Sequence, residues 1–279
     1  MHLLKRQSKF QEIVIAVDSV YRGEHVLFLD GAWQYASFFE YRYHEIMAAM
    51  SACVAPNLER VLICGGGDGL AAREILRFPN VYVDLVEIDP LMIELFSTEK
   101  LLTNLNRCSL QSERIHIYTE DAFQFAQKAE KGSYDLVLLD FPSPGDTNKQ
   151  KKYGNLFSNE SADLFASLLK PNGVLTSQTS VQAETLVGFG RYFLDNGYYI
   201  WSYDAVYNSQ GNHDTFTTVS KGRLEKRREI PKDCRLITDD HLRVGFSSAT
   251  QYNYDDLDYM RLFDFVEAID VELFDFRDL

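Results

Sequence analysis

The segment VLICGGGDGLAAREIL, residues 61–76, contains the first residues whose types and spacing suit chemistry. An apolar stretch leads into four glycines and one acid, and a helix-like stretch follows. Glycines at such a turn let the backbone change direction sharply and approach a ligand closely. The acid, Asp68, would repel a phosphate group held in the same turn. The turn therefore predicts a ligand that carries positive charge.

Glu87 extends this prediction to a nucleoside. It lies twenty residues after Gly67 and ends the next apolar run, in VEID. A carboxylate at this spacing accepts hydrogen bonds from both hydroxyls of a ribose. Two nucleoside classes remain open, a dinucleotide and a sulfonium nucleoside such as S-adenosylmethionine. Asp68 favours the second class, which has no phosphate and has a cationic tail.

Two more acids follow later apolar runs. Asp121, in TEDAFQF, is placed either to accept a hydrogen bond from the exocyclic amine of an adenine or to cap the helix that follows. The sequence leaves both roles open. Asp140, in LLDFPSP, ends a further run below a long polar loop, residues 142–155. We expect it to face the reacting end of a nucleoside laid across the sheet edge.

The surrounding sequence predicts the elements that must position these acids. From residue 60 onward, apolar runs such as RVLICG and YDLVLLD alternate with helix-like pieces. This alternation predicts a parallel sheet covered on both faces, with ligands at the carboxyl ends of its strands. Residues 10–40 instead alternate and turn like a small antiparallel β unit. EYRYHEIMAAMSACVA then predicts a helix that Pro56 ends.

Composition excludes some function classes. The 279 residues carry a formal charge of −13, which argues against a general nucleic-acid binder. The four cysteines show no CxxC spacing, so we expect reduced thiols, no structural metal and an intracellular protein. We find no apolar stretch of membrane-spanning length and no signal peptide, and we therefore expect a cytoplasmic location.

Seven motifs together resemble the spermidine synthase family, the polyamine aminopropyltransferases. In chain order they are FQEIVI, LFLDGAWQ, FEYRYHE, GGGDG, VEID, EDA and YDLVLLDFPSP. The resemblance covers about residues 10–220. It implies a methyltransferase-like Rossmann fold with a mostly parallel sheet and a small N-terminal antiparallel β unit. Residues 1–45 would form that unit and the start of a linking helix. Residues 46–279 would form the catalytic domain with a C-terminal helical extension.

The same resemblance implies an activity. An aminopropyl group would pass from decarboxylated S-adenosylmethionine to a di- or polyamine, with release of 5'-methylthioadenosine. The enzyme would be a cytoplasmic homodimer that uses no metal and contacts neither nucleic acid nor membrane.

Site residues follow from the matched motif positions. Asp140 would be the catalytic carboxylate. Asp68 would pair with the free amine of the co-substrate, Glu87 with its ribose, and Asp121 with its adenine. The full set implied for co-substrate binding is Gln11, Gly65, Gly67, Asp68, Glu87, Asp121 and Ala122. The set implied for the acceptor side is Gln34, Tyr43, His44, Ser143, Gln178 and Tyr207.

The sequence also departs from the family pattern. The family usually has Asp-x-x-Asp where this chain has Asp140-Phe-Pro-Ser143, so the second acid, which helps bind the acceptor amine, is missing. Asp146 or Glu40 would replace it, or the acceptor differs from putrescine. Two other functions therefore stay open: an S-adenosylmethionine-dependent N-methyltransferase acting on an amine, and a degenerate nucleoside-binding paralogue.

Overall fold

The computed structural model describes residues 2–18, 23–142, 156–179, 190–206 and 213–242. Within these residues the strands form two sheets, one of four strands and one of seven. The long loop after Asp140, apart from Pro142, and the predicted C-terminal helix lie outside the described residues, as do Ser143, Asp146 and Tyr207.

The four-stranded sheet is antiparallel and follows chain order. Its strands are β1 (His2–Gln7), β2 (Glu12–Asp18), β3 (Glu24–Leu29) and β4 (Ala32–Ala36). Asp30 and Gly31 connect β3 to β4 with positive φ angles of 51° and 76°, as a two-residue hairpin turn requires. The antiparallel unit predicted for residues 10–40 omitted β1. That strand lies at the sheet edge, where charged residues are common. Because Lys5 and Arg6 are exposed and adjacent, its sequence does not show the apolar–polar alternation typical of a strand.

A continuous helical segment links the two sheets. It consists of α1 (Glu40–His44), a π-helical stretch (Glu45–Met50) and α2 (Ser51–Val54), and it ends before Pro56, as predicted. Every residue of the π-helical stretch is buried, which shows that this segment crosses the interior of the protein.

The seven-stranded sheet has the order β10-β11-β9-β8-β5-β6-β7. Strands β5 to β9 pair in parallel, and β11 is antiparallel to both of its neighbours. The strands are β5 (Arg60–Gly65), β6 (Tyr82–Glu87), β7 (Ile115–Thr119), β8 (Tyr134–Asp140), β9 (Leu169–Gln178), β10 (Tyr199–Val206) and β11 (His213–Ser220).

Helices cover both faces of this sheet. They are α3 (Leu70–Ile75), α4 (Pro90–Thr98), α5 (Lys100–Leu105), α6 (Ala122–Lys128) and α7 (Asn159–Ala166). On β5, Val61 and Ile63 pack into one hydrophobic core while Leu62 and Cys64 pack into the other. A strand buried on both faces explains why the sequence there is continuously apolar.

The strand order reverses between β5 and β8. From β5 the chain builds outward through β6 and β7, and it then returns to add β8 and β9 on the other side. Gly65 and Asp140 are register partners at the carboxyl ends of the two strands. Ligands of open α/β sheets bind in the crevice at such a reversal.

The predicted fold class is confirmed: the protein is α/β, with a mostly parallel Rossmann-like sheet and a small N-terminal antiparallel β unit. The division at residues 45 and 46 stays a prediction. None of the helices in the described ranges is both long enough and apolar enough to span a membrane.

Candidate active site

A cavity of about 540 Å³ opens at the strand-order reversal, between the carboxyl edge of the large sheet and the N-terminal sheet. All the predicted site residues that the structure describes line this cavity. They are Gln11, Gln34, Tyr43, His44, Gly65, Gly67, Asp68, Glu87, Asp121, Ala122, Asp140 and Gln178. Tertiary folding thus brings together residues that are up to 167 positions apart in the chain, from Gln11 to Gln178.

The glycine turn after β5 fits tightly against its neighbours. Gly65 has a φ of 86°, and a Cβ atom there would collide with the main-chain oxygen of Asp140. A Cβ atom on Gly67 would lie 2.6 Å from Cγ of Glu87. These two glycines let the turn, Glu87 and Asp140 share one edge of the cavity.

Glu87 is anchored by main-chain groups of its own edge. Its Oε2 accepts a hydrogen bond from the Gly67 N–H at 3.1 Å, and its Oε1 accepts one from the Asp89 N–H at 2.8 Å. Burial raises the pKa of Glu87 to about 7, although both hydrogen bonds act to lower it. Each oxygen keeps acceptor capacity for a further donor.

Asp89 positions a cavity residue, a role that the sequence did not reveal. It caps α4 by accepting from the Leu91 N–H, and its Oδ2 also accepts from the Ser8 hydroxyl at 2.7 Å and from Gln11 Nε2 at 3.1 Å. Asp89 therefore holds Gln11 against the cavity and joins the β1–β2 turn to the large sheet. The Asp-Pro pair in VEIDP is a recognisable helix-start signal, but it does not identify a partner in another sheet.

Asp68 is buried in the glycine turn. Its Oδ1 accepts from the Leu70 N–H at 2.9 Å, and its main-chain oxygen accepts from the Asn106 amide at 2.9 Å. Burial raises its pKa, with a smaller opposing effect from the nearby His44. A buried carboxylate of this kind gains most from a ligand that brings its own positive charge.

Asp121 performs the capping role that the sequence left open. Its Oδ1 accepts from the N–H groups of Phe123 and Gln124 at 2.8 and 3.1 Å, so it is the N-cap of α6. It also lines the cavity next to Ala122. The capping role and the predicted adenine contact are therefore compatible in space.

Asp140 lies at the end of β8 and accepts a hydrogen bond from the Tyr43 hydroxyl, with 2.6 Å between Oδ1 and the phenol oxygen. Oε1 of Gln178 lies 3.2 Å from the same hydroxyl. Burial raises the pKa of Asp140 to about 6. The charge of Asp68 acts in the same direction, His44 and the Tyr43 hydrogen bond act to lower the pKa, and about 6 is the net result.

His44 lines the cavity and also belongs to a buried ionic group with Glu40 and Arg73. Its Nδ1 lies 2.7 Å from the Glu40 main-chain oxygen and 3.1 Å from Glu40 Oε2. Both Glu40 oxygens also accept from Arg73, at 2.8 Å each. Burial opposes ionisation of Glu40, but the hydrogen bonds from His44 and Arg73 outweigh it and lower the pKa of Glu40 to about 2. Burial likewise opposes protonation of His44, but Glu40 and the charge of Asp68 outweigh it and raise the pKa of His44.

This arrangement corrects one hypothesis. Glu40 was an alternative to the missing second acid as a ligand for the acceptor amine. The structure contradicts it, because Glu40 does not line the cavity and its carboxylate is held by Arg73 and His44. Neither Arg73 nor its role was identifiable from the sequence, because the motif that contains Glu40 does not indicate which cation it meets.

The cavity carries negative charge. Its acids are Asp68, Glu87, Asp121 and Asp140, and among the described lining residues there is no lysine or arginine. The lining also includes aromatic residues that the sequence analysis did not single out: Trp33, Tyr35, Phe123 and Phe141. Such a cavity suits a flat, cationic ligand.

A separate group of potential metal ligands lies outside this cavity. Ligand atoms of Glu45, Glu74 and Cys234 lie within 4.8 Å of one another. The guanidinium of Arg77 already lies among them, with Nε 2.6 Å from Glu74 Oε2 and Nη2 3.8 Å from Glu45 Oε1. The group therefore binds a side-chain cation of the protein itself.

The fold and the cavity define a Rossmann-like α/β protein with an acidic ligand site at the reversal of its strand order. A family model described as the spermine/spermidine synthase domain matches residues 40–191, more than half of the chain. The chain belongs to the spermine/spermidine synthase family, which confirms the resemblance found in its motifs.

Curated relatives support this membership. The chain is 30% identical over 243 residues to a polyamine aminopropyltransferase of Leptospira interrogans, an alignment that covers 84% of this chain and 46% of that protein. It is 40% identical over 175 residues to polyamine aminopropyltransferase 1 of Streptomyces coelicolor, covering 62% of this chain and 32% of that protein. The chain thus spans less than half the length of these two relatives.

Solved structures show the same fold. Spermidine synthase from Thermotoga maritima superposes with a TM-score of 0.74 at 24% identity, covering 91% of this chain and 86% of that one. A spermidine synthase in complex with the transition state analogue AdoDATO gives a TM-score of 0.72 at 24% identity, covering 91% and 85%.

Proposed function

We propose that this protein transfers an aminopropyl group from decarboxylated S-adenosylmethionine to a di- or polyamine and releases 5'-methylthioadenosine. The observation that carries the proposal is the charge of the cavity, which has four acids and no lysine or arginine among its described lining residues. The names of the relatives support it, since those proteins are polyamine aminopropyltransferases. The AdoDATO complex of a protein with the same fold supports it too.

The donor nucleoside would lie across the edge of the large sheet. Glu87 would accept from the ribose hydroxyls, and Asp121 and Ala122 would contact the adenine. Gly65 and Gly67 would allow close approach of the backbone, with Gln11 held against the ligand by Asp89. Asp68 would pair with the free amine of the tail.

The charge of Asp68 supports a decarboxylated donor. The tail of S-adenosylmethionine carries a carboxylate, which would meet the buried Asp68 and the partly buried Asp140 with no arginine or lysine of the described lining to neutralise it. Removing that carboxylate leaves a sulfonium and an ammonium, and both are attracted by the two acids. Decarboxylation thus converts repulsion into attraction.

The reaction would be an in-line displacement at carbon. The acceptor nitrogen attacks the methylene carbon next to the sulfonium, a C–N bond forms, and the C–S bond breaks with its electron pair left on sulfur. The surplus proton of the nitrogen passes to Asp140. With a pKa raised to about 6, Asp140 is a stronger base than an ordinary aspartate, whose pKa is about 3.9. Tyr43 holds the carboxylate in position, and Gln178 lies beside the same hydroxyl.

The acceptor would enter past Gln34, Tyr43, His44 and Gln178, with Ser143 and Tyr207 as further contacts outside the described residues. A second positive centre close to the sulfonium repels it, so the acids have an electrostatic task besides proton transfer. The proposal includes the assembly and location that the family resemblance implies, a homodimer in the cytoplasm. As written, the reaction needs no metal ion.

Mass spectrometry of products provides the test. The protein is incubated with decarboxylated S-adenosylmethionine and a pool of diamines and polyamines. We expect 5'-methylthioadenosine in equal amount to one aminopropylated amine, and about 10²–10⁴-fold less of both with Asp140→Asn.

Calorimetry compares binding of the decarboxylated and carboxylated donors. Tighter binding of S-adenosylmethionine, together with a methylated amine product, would replace this proposal with the N-methyltransferase. Donor binding without consumption of any amine would replace it with the nucleoside-binding paralogue.

A further inference from the structure

Tyr35 is a buried cavity residue whose hydroxyl has no hydrogen-bond partner among the described residues. It belongs to β4 and is 8% exposed. Its ring meets the ring of His44 edge to face, with 6.0 Å between the ring centroids. Neither the motifs nor the proposed reaction gives this side chain a task.

Tyr35 separates two cavities. It lines the acidic cavity described above, and together with Leu27 it also lines a second cavity of about 280 Å³. The second cavity lies between the N-terminal sheet and α5, where Val26, Leu102 and Leu105 make most of its surface apolar. The Tyr35 and Leu27 side chains therefore form the partition between an acidic space and an apolar one.

The partition stands at the Asp68 end of the acidic cavity. Burial raises the pKa of the Tyr35 phenol well above its ordinary value, and among charged groups Asp68 contributes most, followed by Glu40. The geometry agrees, because the Asn106 side chain donates to the Asp68 main-chain oxygen at 2.9 Å, and Asn106 directly follows Leu105, which lines the second cavity. A ligand with its cationic tail at Asp68 would thus end near the Tyr35 ring.

We propose that Tyr35 is a specificity-determining residue that closes the cavity behind Asp68 and so limits the length of the ligand's cationic tail. The inference rests on the proposed function, which places the tail of the donor at Asp68. A tail with three carbons would reach Asp68 and stop. A longer tail would have to enter the space that the Tyr35 ring fills.

Unreactive thioether analogues of the donor test this inference through binding alone. The two probes are 5'-deoxyadenosines that carry an aminopropylthio or an aminohexylthio group, and 5'-methylthioadenosine, which has no amine tail, is the reference ligand. For the wild-type protein we expect the aminohexyl probe to bind at least about tenfold more weakly than the aminopropyl probe. In Tyr35→Ala the partition is open, and the difference should fall to about threefold or less, with binding of 5'-methylthioadenosine unchanged.

Tyr35→Phe is the matched control, because it keeps the ring and removes only the hydroxyl. It should discriminate between the probes as the wild type does. Tyr35→Leu provides a smaller cavity change should the alanine variant fail to bind 5'-methylthioadenosine, and it should give intermediate discrimination. Equal binding of both probes by the wild type, or unchanged discrimination in the variants that bind 5'-methylthioadenosine, would overturn the inference while leaving the proposed function intact. A wild-type protein that binds none of the three nucleosides would overturn both.

Discussion

The hydroxyl of Tyr43 donates a hydrogen bond to Oδ1 of Asp140 across 2.6 Å, and the two residues are 97 positions apart in the chain. Tyr43 lies on the helix that follows the N-terminal sheet, and Asp140 ends a central strand of the large sheet. The contact therefore couples the two parts of the fold at the residue proposed to take the proton.

We expect the pKa of Asp140 to change when this hydrogen bond is removed. The bond stabilises the ionised carboxylate, so Tyr43→Phe should raise the pKa of Asp140 above its wild-type value of about 6. Carboxyl carbon NMR on aspartate-labelled, ligand-free protein measures the titration. The resonance is assigned by its absence in Asp140→Asn. A pKa that stays at its wild-type value, or moves down, would show that Tyr43 does not stabilise the carboxylate.

The raised pKa of Glu87 leads us to expect that the folded protein becomes less stable as pH rises. Its pKa in the folded protein is about 7, above the value of about 4.3 for an unfolded chain. The folded state therefore binds the proton more tightly, and the stability that this proton contributes is complete below about pH 4 and is lost as pH rises through 7. The full effect is on the order of 4 kcal/mol.

Urea unfolding of the ligand-free protein between pH 5 and pH 8 measures this effect. Glu87→Gln should make the free energy of unfolding depend less steeply on pH, since the glutamine does not titrate. The control is Glu12→Gln, because Glu12 forms only a partly exposed pair with Lys5. If Glu87→Gln and Glu12→Gln alter the pH dependence equally, Glu87 is not the group responsible.

We expect Glu40→Gln to lower the free energy of unfolding, because the Glu40 carboxylate pairs with the buried Arg73 and His44. In Glu40→Gln the buried Arg73 would keep its charge and its ion pair with Glu74 at 2.7 Å but would lose its bidentate partner, which costs about 1–3 kcal/mol. The pKa of His44 should fall at the same time, because the hydrogen bond and the charge that raise it are weakened. Urea unfolding gives the first quantity, and NMR titration of the imidazole gives the second. Lys5→Gln, which breaks an exposed pair, should cost less than about 1 kcal/mol. A comparable loss in the two variants would refute the structural role of the buried group.

We expect the protein to become more stable when Tyr35 loses its hydroxyl in Tyr35→Phe. The Tyr35 hydroxyl is buried without a partner among the described residues, which costs free energy, so Tyr35→Phe should raise the free energy of unfolding of the ligand-free protein by about 1 kcal/mol. Tyr134→Phe is the matched opposite, since the buried Tyr134 hydroxyl donates to Asp84 at 2.7 Å. That variant should be less stable than the wild type by about 1 kcal/mol. Thermal and urea unfolding compare the three proteins, and destabilisation by Tyr35→Phe would mean that the hydroxyl has a partner.

Much of the fold was predictable because it is encoded locally. The alternation of apolar runs with helix-like pieces follows from the requirements of a buried parallel strand and its covering helix, and each is visible within a dozen residues. The edge strand β1 was missed because its outward side chains are charged. The π-helical stretch at Glu45–Met50 was missed because its sequence, EIMAAM, is as apolar as that of an ordinary buried α-helix.

Local sequence is enough to place Asp68, Glu87, Asp121 and Asp140 at or just after the ends of strands, and hence on one sheet edge, since parallel strands present the same end to one side. The partners of the site residues follow only from tertiary packing. The Asp89 bond to Gln11, the Tyr43 bond to Asp140 and the Arg73 pair with Glu40 join residues 33 to 97 positions apart. Local periodicity contains no information about such contacts. They depend on how the N-terminal sheet and the linking helix pack against the large sheet. Tertiary burial is also what raises the pKa values of Glu87 and Asp140.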